Sequence, residues 1–342
     1  MYSIETAMRR ANELSLNGLG LTFPNPIVGA VVIDDSGNLI GEGFHSKSNQ
    51  GAHAETNALV AAGNKAVGAT LVVTLEPCNH HGKTPPCTEK IIESGIKKVV
   101  FGVSDPNKLA SGGAAALRNA GIEVIGAFQS DEIEFNNRAW LKKIRTGKVY
   151  ITLKLALTVD GKIAAADGSS KWITSESSRA DVAVLRSECD AIVTGTGTVI
   201  ADNPALTVRN VNRNGNTEFH PARIVMGERP ISESAEIRKG GAKTYFLSSR
   251  DLTALAKFAT ENNWNRILVE AGPTLSTAFL RSGLVDEVFI YQAPTFLGGD
   301  KSAVTDLGIT NIKERIDFDL HEVKVLGSTE KNLRIHLLKR GA

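Results

Sequence analysis

The stretch His53-Ala54-Glu55, taken together with Pro77-Cys78 and Cys87, decides how the chain is interpreted. The His and Glu open a helix-like run, and a β-like run over 70–75 ends just before Pro77-Cys78. One His and two Cys form the protein ligand set of a catalytic zinc site, which keeps its fourth position open for water. Zinc lowers the pKa of that water towards neutrality. The stretch therefore predicts a catalytic zinc site at His53, Cys78 and Cys87.

Glu55 is the predicted proton carrier of this site. In zinc deaminases a Glu two positions after the His ligand does not bind the metal, but takes the proton of the water and passes it to the ring nitrogen and the leaving amine. Their H-x-E…P-C-x-x-C pattern is present with one departure, since Cys87 follows Cys78 by nine positions rather than three. A longer loop can still bring both thiolates to one metal, because tetrahedral zinc needs only convergent ligands.

Two other interpretations of these residues stay open at this point. Cys78 and Cys87 can be ordinary buried thiols, which is a common state of free cysteine. The site can also be structural zinc, which normally has a fourth Cys or His ligand. His80 and His81 are available for that position.

The insert between the two cysteines narrows the interpretation. Three segments, 24–30, 51–55 and the insert 78–87 (Cys-Asn-His-His-Gly-Lys-Thr-Pro-Pro-Cys), resemble the pyrimidine deaminase domain of the bacterial bifunctional riboflavin biosynthesis (RibD) family. The insert is specific, because plain cytidine and tRNA deaminases lack it. The resemblance continues through the second half and covers nearly the whole chain. It implies an N-terminal cytidine-deaminase-like α/β/α sandwich that binds Zn²⁺, and a C-terminal dihydrofolate-reductase-like α/β domain that uses NADPH.

Length and composition agree with two globular domains. The chain has 342 residues, which favours two domains; we place the deaminase domain at 1–145 and the reductase domain at 146–342. A net charge of +2, from 39 basic and 37 acidic residues, gives no general attraction to nucleic acid or to an anionic membrane. Three cysteines make no disulfide framework, which fits a reducing cytoplasm. The sequence shows neither a signal peptide nor an apolar run of membrane-spanning length.

Hydrophobic periodicity predicts alternating helices and strands in the first half. Helices are expected over 4–16, 53–62, 88–94 and 113–120, and strands over 27–33, 39–44, 70–75, 97–103 and 123–125. A hairpin turn at 34–37 joins the first two strands. The alternation predicts a mixed, largely parallel sheet between helices. The charged, helix-like segment 131–148 is interpreted as the connector.

The second half contains a different set of signals. Strands are expected over 150–157, 191–194, 266–270, 287–292, 323–327 and 333–338, with helices over 176–188 and 274–282, and Ser175 as the cap of the first helix. Lys154 lies inside a strand, so it belongs either at the sheet edge or in a site, because a buried Lys is costly unless paired. A G-x-G-x-x-G fingerprint is absent. The Ala271-Gly272-Pro273 break between strand and helix favours a phosphate, although any tight β–α junction also needs a Gly.

The resemblance also implies substrate contacts in the deaminase half. They fall on Asn25, as a contact to the pyrimidine ring, and on His45, His80 and Lys83, around the zinc pocket and the ribose phosphate. Asn25 can equally be a plain turn residue beside Pro26, and the other three can be solvated surface groups.

One loop of this half departs from the family pattern. Family members continue the run Asp-Pro-Asn with a Pro and an aliphatic pair, whereas this chain continues Asp105-Pro106-Asn107 with Lys-Leu-Ala-Ser at 108–111. The change affects the expected geometry of that loop but not the zinc site.

In the reductase half the resemblance implies two sets of residues. Substrate contacts fall on Lys154, Ser170, Arg186, Leu206, Arg209 and Glu270, and the two arginines suit a phosphate as planar, permanently charged forks. NADPH contacts fall on Ala156, Trp172, Thr198, Asp202 and the turn Gly272, Pro273, Thr274, Leu275, Ser276, Thr277 and Ala278. Trp172 can equally be a core aromatic. Because the chain reads Gly227-Glu228-Arg229-Pro230 where family members often have Asp, no cofactor contact is assigned there.

Together these patterns favour a bifunctional enzyme. Its first half would deaminate a diaminopyrimidinone ribosyl phosphate, and its second half would reduce the ribosyl to a ribityl side chain with NADPH. The partner is a small molecule, with no nucleic acid or membrane, and the family implies a homo-oligomer. One alternative is a nucleic-acid or nucleoside deaminase with an unrelated C-terminal binding domain. That protein would show a basic stripe and exposed aromatics, which a 6% aromatic content does not offer. Another is a structural-zinc scaffold without activity.

Overall fold

The chain forms two compact units, Met1–Gly147 and Lys148–Ala342. The computed structural model describes residues 1–46, 51–81, 85–107, 111–209, 211 and 220–341. Within those residues, no helix is both long and apolar enough to cross a membrane. Each unit has its own sheet, and the two are described separately.

The first unit is built around a five-stranded sheet in the order β2-β1-β3-β4-β5. Its elements are α1 (Ile4–Ser15), β1 (Gly29–Ile33), β2 (Leu39–Phe44), α2 (Ala54–Ala62), β3 (Thr70–Leu75), α3 (Cys87–Glu93), β4 (Lys98–Val103), α4 (Gly113–Asn119), β5 (Glu123–Ile125), α5 (Ser130–Asn136) and α6 (Arg138–Thr146). The sheet is mixed, as predicted, but less parallel than expected. β1 runs antiparallel to both β2 and β3, and only β3, β4 and β5 are parallel.

The antiparallel start of this sheet follows from the turn after β1. The Asp34 carboxylate accepts hydrogen bonds from the backbone N–H of Ser36 at 2.9 Å and of Asn38 at 2.8 Å. An Asx-type turn of this kind reverses the chain within a few residues. β2 therefore returns along β1, and the remaining strands reach their parallel neighbours through helices, as parallel pairing requires.

Glycines allow the ligand-bearing helix α2 to lie unusually close to the sheet. A Cβ atom added at Gly41 would stand 2.3 Å from the carbonyl oxygen of Ala58, and one at Gly43 would stand 2.8 Å from that of Ala54. Any larger residue would push α2 away from β2. β1 and β3 are buried along their whole length, which is typical of strands covered on both faces. The result is a rigid frame for the N-terminus of α2.

The predicted connector consists of two helices. α5 ends at Asn136 and α6 begins at Arg138, with Asn137 between them. The buried side chain of Asn137 accepts from the backbone N–H of Ile27 at 3.0 Å and donates to the carbonyl of Ile27 at 3.0 Å. This pair of bonds fixes the segment that enters β1. The end of the first unit is thereby tied to the segment that leads into β1.

The second unit is built around an eight-stranded sheet in the order β12-β13-β11-β6-β10-β7-β8-β9. Its elements are β6 (Tyr150–Thr158), α7 (Glu176–Ser187), β7 (Ala191–Gly195), α8 (Thr196–Asp202), β8 (Ala222–Met226), β9 (Thr244–Leu247), α9 (Leu252–Glu261), β10 (Arg266–Val269), α10 (Pro273–Arg281), β11 (Glu287–Ala293), β12 (Phe318–Leu326) and β13 (Asn332–Lys339). Strands β11, β6, β10, β7, β8 and β9 are mutually parallel. β13 and β12 continue the sheet antiparallel.

Most of the predicted elements of the second unit are present. Ser175 caps α7, since its hydroxyl accepts from the backbone N–H of Ser178 at 3.3 Å. The sequence interpretation missed α8, β9 and α9. β12 begins five residues earlier than predicted, because its N-terminal half carries Asp319, His321 and Glu322 instead of an apolar run. β12 lies at the end of the sheet, where a strand tolerates charged side chains.

Candidate active sites

The first candidate site lies where α2, β3 and α3 meet. His53 is the residue before α2, Cys78 follows β3, and Cys87 begins α3. The Nδ1 atom of His53 lies 3.1 Å from the Sγ atom of Cys87 and 3.6 Å from that of Cys78. All three ligand atoms lie within 4.8 Å of one another. The structure therefore brings together the three ligands predicted from the sequence.

Hydrogen bonds between residues at the two ends of the insert hold the two cysteines close together. The backbone N–H of Cys87 donates to the Sγ atom of Cys78 at 3.4 Å, and that of Thr88 donates to the carbonyl of Cys78 at 3.3 Å. The Thr88 hydroxyl donates to the side-chain oxygen of Asn79 at 2.9 Å. These bonds close the long insert at its base. They explain how a spacing of nine residues replaces the usual three.

The distances within this cluster and the coupling of its ionisable groups fit a metal ion. The hydrogen bond from the Cys87 thiol lowers the pKa of Cys78, and the same bond raises the pKa of Cys87 well above its usual value. The hydrogen bond to Cys78 raises the pKa of His53. Two sulfurs and an imidazole therefore share protons at mutual distances that suit tetrahedral zinc. A metal ion that binds here displaces those protons.

A fourth protein ligand is not found in the described part of the chain. His80 and His81 are both exposed, and the Nε2 atom of His81 lies 3.2 Å from a carboxylate oxygen of Glu89. Neither belongs to the group of metal-ligating side chains, which consists of His53, Cys78 and Cys87. A structural site normally has four protein ligands. The three-ligand set favours a catalytic site over a structural one.

Glu55 stands beside the cluster in a buried position. It lies in the first turn of α2 and is 4% exposed. Burial raises the pKa of this carboxyl group, and the nearby charge of His53 opposes that shift. A buried carboxyl group with a raised pKa next to a metal-ligand cluster is suited to hold and release a proton.

Two of the predicted substrate residues meet at the side of this site. His45 is buried, and its ring lies edge-on to that of His53 with 5.3 Å between ring centroids. Its Nδ1 atom lies 3.0 Å from the carbonyl oxygen of Ala52, so Nδ1 carries the proton. Nε2 is then the acceptor for the Asn25 side-chain amide at 3.2 Å. The side-chain oxygen of Asn25 consequently points away from His45, and Asn25 itself is exposed. Lys83 and the loop residues 108–110 lie outside the described residues.

The sequence interpretation missed a carboxylate pair behind Cys78. Glu76 is buried and accepts from the backbone N–H of Asp105 at 3.3 Å and of Ala114 at 3.0 Å. A Cβ atom at Gly113 would stand 1.8 Å from the carbonyl oxygen of Pro77, so α4 presses directly on the Pro77-Cys78 turn. Burial raises the pKa of Asp105. The sequence signal for this supporting interaction was Glu76, which directly precedes Pro77.

The second candidate site contains a buried group of three charges. Glu270 follows β10, Lys154 lies in β6, and Arg186 lies in α7. The Arg186 guanidinium forms a bidentate pair with Glu270, with N···O distances of 2.5 and 2.9 Å. The Nζ atom of Lys154 lies 3.7 Å from the same carboxylate. Lys154 is thus paired inside the sheet, and its strand is flanked by β10 and β11, which rules out a position at the sheet edge.

The pKa values of Lys154 and Glu270 are both lowered, but for different reasons. Burial lowers the pKa of Lys154, and Glu270 opposes the shift only in part. Burial alone would raise the pKa of Glu270, but Arg186 and then Lys154 outweigh it, so that pKa is lowered. Glu270 therefore stays ionised, and Lys154 becomes a better proton donor than a solvated lysine.

The two predicted phosphate-binding arginines differ in their surroundings. Arg186 gives two of its donors to Glu270 and one to the carbonyl of Thr207 at 3.1 Å. Three of its N–H donors are therefore engaged within the protein, and its role as a substrate contact stays a prediction. Arg209 is exposed, and its described hydrogen bond goes to the Thr207 hydroxyl at 3.3 Å. Leu206, between them along the chain, is buried in the apolar core of this unit, so only its backbone can contact a polar ligand.

Some of the predicted cofactor residues, Thr198 and the start of the α10 turn, meet at the carboxyl edge of the parallel strands. The backbone N–H of Gly272, at the start of α10, donates to the Thr198 hydroxyl of α8 at 3.0 Å. A Cβ atom at Gly195, the last residue of β7, would lie 3.7 Å from the Leu275 side chain. The first-turn N–H groups of a nine-residue helix point to this junction. The arrangement fits a dinucleotide phosphate, since ligands of open parallel sheets bind at the carboxyl ends of the strands.

Within this turn the side chains serve different purposes. Ser276 and Thr277 are buried; the Ser276 hydroxyl donates to the carbonyl of Ala271 at 3.1 Å, and Thr277 accepts from Thr305. The buried side chains leave only backbone groups of these two residues for the predicted contact with the cofactor. Thr274 is exposed, while Pro273, Leu275 and Ala278 are half-buried. Ala156, in β6, is half-buried as well.

Trp172 is not a core residue. Its side chain is 72% exposed, and the Arg179 guanidinium stacks over its ring at 4.5 Å. The core interpretation was therefore wrong, because the ring lies at the surface in the irregular segment between β6 and α7. Nearby, the Lys171 ammonium donates to the backbone carbonyl of Asp202 at 3.3 Å, which joins two predicted contact segments. Ser170 is half-buried.

Arg229 is a candidate residue that the sequence interpretation did not assign. It is exposed in the turn after β8, and its guanidinium lies so close to Gly197 that a Cβ atom there would stand 2.5 Å away. Gly197 immediately precedes Thr198, which bonds to Gly272. A permanently charged fork is therefore held at the carboxyl edge beside the cofactor residues. The signal was the Gly at 197, whose missing side chain makes room for the arginine.

Two protein-family models match the chain. The model of the cytidine and deoxycytidylate deaminase zinc-binding region matches residues 1–103. The model of the RibD C-terminal domain matches residues 149–330. The alternative with an unrelated C-terminal binding domain is therefore wrong.

Individual relatives and solved structures agree with these models. The riboflavin biosynthesis protein RibD of Mycobacterium tuberculosis is 41% identical over 326 residues, which cover 95% of either chain. That of Escherichia coli is 38% identical and covers 94% of this chain and 96% of its own. The structure of Acinetobacter baumannii RibD has a TM-score of 0.88 at 37% identity and covers 98% of both chains. A Thermotoga maritima diaminohydroxyphosphoribosylaminopyrimidine deaminase/5-amino-6-(5-phosphoribosylamino)uracil reductase has a TM-score of 0.88 at 34% identity and covers 98% of both chains.

The two folds and the His–Cys–Cys cluster define a bifunctional protein, a zinc-binding deaminase of the cytidine-deaminase type followed by a reductase. The chain belongs to the RibD family of riboflavin biosynthesis enzymes. Its deaminase half binds zinc, and its reductase half depends on NADPH. The predicted fold classes and cofactors are thereby confirmed.

Proposed function

We propose that the chain deaminates 2,5-diamino-6-(ribosylamino)-4(3H)-pyrimidinone 5′-phosphate at the first site. We further propose that it reduces the product, 5-amino-6-(ribosylamino)uracil 5′-phosphate, at the second site to the ribityl compound. The observation that carries this proposal is the convergence of His53, Cys78 and Cys87, with Glu55 in contact with Cys87. The Thermotoga maritima relative is described as a deaminase and reductase for the same pair of reactions.

At the first site, the metal ligands are His53, Cys78 and Cys87. Zinc held by these ligands would supply a water molecule of lowered pKa as the nucleophile for the amino-bearing ring carbon. Glu55 would carry one proton from the nucleophile to the ring nitrogen and a second to the amine, so that a C–O bond forms, the C–N bond breaks and ammonia leaves. Its raised pKa suits both steps, because the carboxyl group must be able to hold a proton between them.

The walls of the first site orient the pyrimidine. The proton on Nδ1 of His45 fixes the Asn25 amide, whose oxygen is left to accept a hydrogen bond from the amino group or N–H of the ring. His80 is exposed at the start of the insert and, with Lys83, supplies positive charge or N–H donors for the ribose phosphate. Asp105 and Glu76 act indirectly, because they hold the Cys78 turn in place.

At the second site, the ionised carboxylate of Glu270 forms an ion pair with the ammonium group of Lys154. Bound NADPH supplies the hydride. Lys154 donates hydrogen bonds to the sugar of the ring-opened ribosyl imine, and its lowered pKa lets it give up a proton there. Glu270 holds Lys154 in position and accepts from a sugar hydroxyl. We assign Asp202 and Ser170 to orienting the same sugar, since Asp202 is joined to the segment of Ser170 by the hydrogen bond from Lys171 to its carbonyl.

Phosphate and cofactor recognition involve different arginines. Arg209 is exposed and takes the substrate phosphate, whereas Arg186 keeps Glu270 ionised and contributes to substrate binding through that carboxylate. Trp172, Thr198, Ala156 and the α10 turn hold NADPH. Arg229 supplies the charge that distinguishes the 2′-phosphate of NADPH from the hydroxyl of NADH. That assignment comes from its position beside Gly197.

Chelation separates this proposal from an inactive zinc scaffold. Metal-free protein should lose ammonia release, regain it with added zinc, and keep its secondary structure and its reduction of the deaminated intermediate. A scaffold held together by structural zinc would instead unfold on chelation, with loss of circular dichroism. Reduction of the intermediate by metal-free protein is therefore the discriminating readout.

Three narrower expectations stay predictions. The chain is expected to act on small molecules without nucleic acid, to form a homo-oligomer, and to work in the cytoplasm. The domain limits 1–145 and 146–342, with one activity in each, also stay predictions. Separate expression of the two halves tests them, since each half should then retain its own reaction.

A further inference from the structure

Two segments that leave the second sheet side by side are tied together at its carboxyl edge. β6 and β11 are parallel neighbours, and their last residues, Thr158 and Ala293, are paired with each other. The segments 159–175 and 294–303 follow these two strands. Ligands of parallel sheets bind at this edge. The first segment carries two of the predicted contact residues, so its path affects the second candidate site.

The carboxylate of Asp160 joins the two segments. It accepts from the backbone N–H of Gly298 at 2.7 Å and from that of Leu297, whose nitrogen lies 3.3 Å from both carboxylate oxygens. The Thr158 hydroxyl donates to the same carboxylate at 2.5 Å. This hydroxyl and the Gly298 N–H lower the pKa of Asp160, so the group is ionised at neutral pH. Hydrogen bonds to an ionised acceptor are stronger than those between neutral groups.

Backbone hydrogen bonds continue this junction on both sides of the carboxylate. They run from the N–H of Val159 to the carbonyl of Thr295 at 2.9 Å, from that of Ile163 to the carbonyl of Lys301 at 3.0 Å, and from that of Ala303 to the carbonyl of Gly161 at 3.0 Å. The Lys162 ammonium also donates to the Ser302 hydroxyl at 3.0 Å. The backbone bonds can form with many side chains, so the dependence of the junction on sequence lies in Asp160 and Lys162.

The other end of segment 159–175 is fixed as well. The Lys171 ammonium donates to the carbonyl of Asp202 at 3.3 Å, and the Arg179 guanidinium stacks over the Trp172 ring at 4.5 Å. The predicted contact residues of this segment therefore lie at or between two anchors. Loss of either anchor would let them shift, and a displacement of about 1 Å can lower a rate by about 10²-fold.

We propose that Asp160 is a positioning residue of the reductase half, which holds the segment after β6 against the segment after β11 and thereby places the contact residues for NADPH and the sugar. It acts through residues 170–172 and does not itself touch either ligand. The proposal rests on the contacts that the proposed function gives to Ser170 and Trp172. A purely structural role is the alternative, and it predicts a loss of stability in place of a loss of turnover.

Asp160→Ala in the full-length, zinc-loaded protein tests this role. The dissociation constant of NADPH, measured by fluorescence titration without turnover, should rise by about 10-fold. The kcat for reduction of the deaminated intermediate should fall by about 10–100-fold, because the contact residues are no longer held in place. Ammonia release should keep its wild-type rate. Asp160→Asn should restore most of the turnover, since its side-chain oxygen can still accept from the backbone N–H of Gly298.

Asp34→Ala is the matched control. The Asp34 carboxylate also accepts from two backbone N–H groups, but at the turn after β1 in the first unit. Its removal should leave the dissociation constant of NADPH and the kcat for reduction unchanged.

The outcomes either support or overturn the proposal. Weaker NADPH binding and slower reduction in Asp160→Ala, with recovery in Asp160→Asn and a wild-type midpoint of urea unfolding, support it. Wild-type constants in the folded variant, or a loss of turnover that follows a lowered unfolding midpoint, would overturn it. If Asp160→Ala does not fold, Thr158→Val gives the same readout, because it removes the hydroxyl that donates to the carboxylate.

The two readouts also separate this proposal from the proposed function. If the wild type binds NADPH but does not reduce the deaminated intermediate, the proposed function fails. The dissociation constants of NADPH for the wild type and the Asp160 variants then still decide whether Asp160 positions the cofactor contacts.

Discussion

The two candidate sites are assembled in different ways. In the first unit, His53, Cys78 and Cys87 converge as a three-ligand set suited to a metal. In the second unit, Glu270 is already paired with both Arg186 and Lys154, which leaves this group with one excess positive charge. The first site is therefore a set of donors for a cation, while the charged groups of the second site are paired with one another before any ligand arrives. A substitution at the first site should therefore mainly affect the reaction rate. A substitution at the second site should affect both the reaction rate and the stability of the fold.

The strongest test of this contrast is Glu55→Ala. We expect ammonia release to fall by about 10²–10⁴-fold, the usual contribution of a positioned acid–base group. Reduction of the deaminated intermediate should keep its wild-type rate, because the second site has its own residues. Steady-state assays of each half-reaction check this, with Glu13→Ala on exposed surface as the control. Equal loss of both activities would contradict the existence of two independent sites.

Lys154→Met should affect the opposite half-reaction. Loss of one donor to the reacting sugar should lower the rate of reduction by about 10²-fold, with unchanged ammonia release. Lys154→Arg keeps the charge but lacks the lowered pKa, so it should restore substrate binding more than turnover. Values of KM and kcat for the intermediate separate these effects. A variant with full reductase activity would show that Lys154 is only a structural partner of Glu270.

Arg186→Met should reduce the stability of the fold. It would leave Glu270 buried and unpaired apart from Lys154, and breaking a buried ion pair costs about 3–5 kcal/mol. Urea unfolding followed by circular dichroism measures this loss in the second unit. Glu270→Gln, combined with Arg186→Met, should not recover the loss, because Lys154 then stays buried without the carboxylate that pairs with it. Wild-type stability of the single variant would contradict a stabilising ion pair between Arg186 and Glu270.

Arg209→Met should leave stability unchanged and weaken substrate binding. A charge-assisted hydrogen bond to phosphate contributes about 1.5–3 kcal/mol, so KM for the deaminated intermediate should rise by roughly 10–100-fold. Arg250→Met, on another exposed segment, serves as the control. If KM were unchanged, the substrate phosphate would have to be bound elsewhere.

Arg229→Ala should have the smallest and most selective effect. The dissociation constant of NADPH should rise by about 10-fold through loss of a charge pair with the 2′-phosphate, and that of NADH should not change. Fluorescence titration of the zinc protein with each nucleotide measures both constants without turnover. An equal change for the two nucleotides would assign Arg229 a structural role.

The first site could be predicted from sequence because its parts are short-range. His53 and Glu55 share one helix start, and the Cys78–Cys87 insert is closed by its own hydrogen bonds. The supporting Glu76 and Asp105 were missed, since they meet only where β3 and β4 lie side by side. The exposed position of His80 and His81 likewise depends on the folded insert.

The second site could be predicted only in part because its residues meet across distant strands and helices. Lys154 was recognised as unusual, but its partner Glu270 lies more than a hundred residues away. Arg186 has the chemistry of a phosphate ligand, and only the fold shows that Glu270 occupies it. Trp172 was ambiguous for the same reason, because its exposure depends on the path of an irregular segment. Arg229 was recognised only in the structure, where its guanidinium lies in the space left by the absent side chain of Gly197. A sequence pattern does not reveal this proximity.

The most direct test of the central claim measures two products in one reaction. The purified zinc protein is given NADPH and undeaminated 2,5-diamino-6-(ribosylamino)-4(3H)-pyrimidinone 5′-phosphate, while NADPH absorbance and ammonia are measured together. We predict that ammonia appears first and that NADPH is then consumed in an equal amount. Ammonia without NADPH consumption would contradict the assignment of the second site, and the absence of both would contradict the zinc site itself.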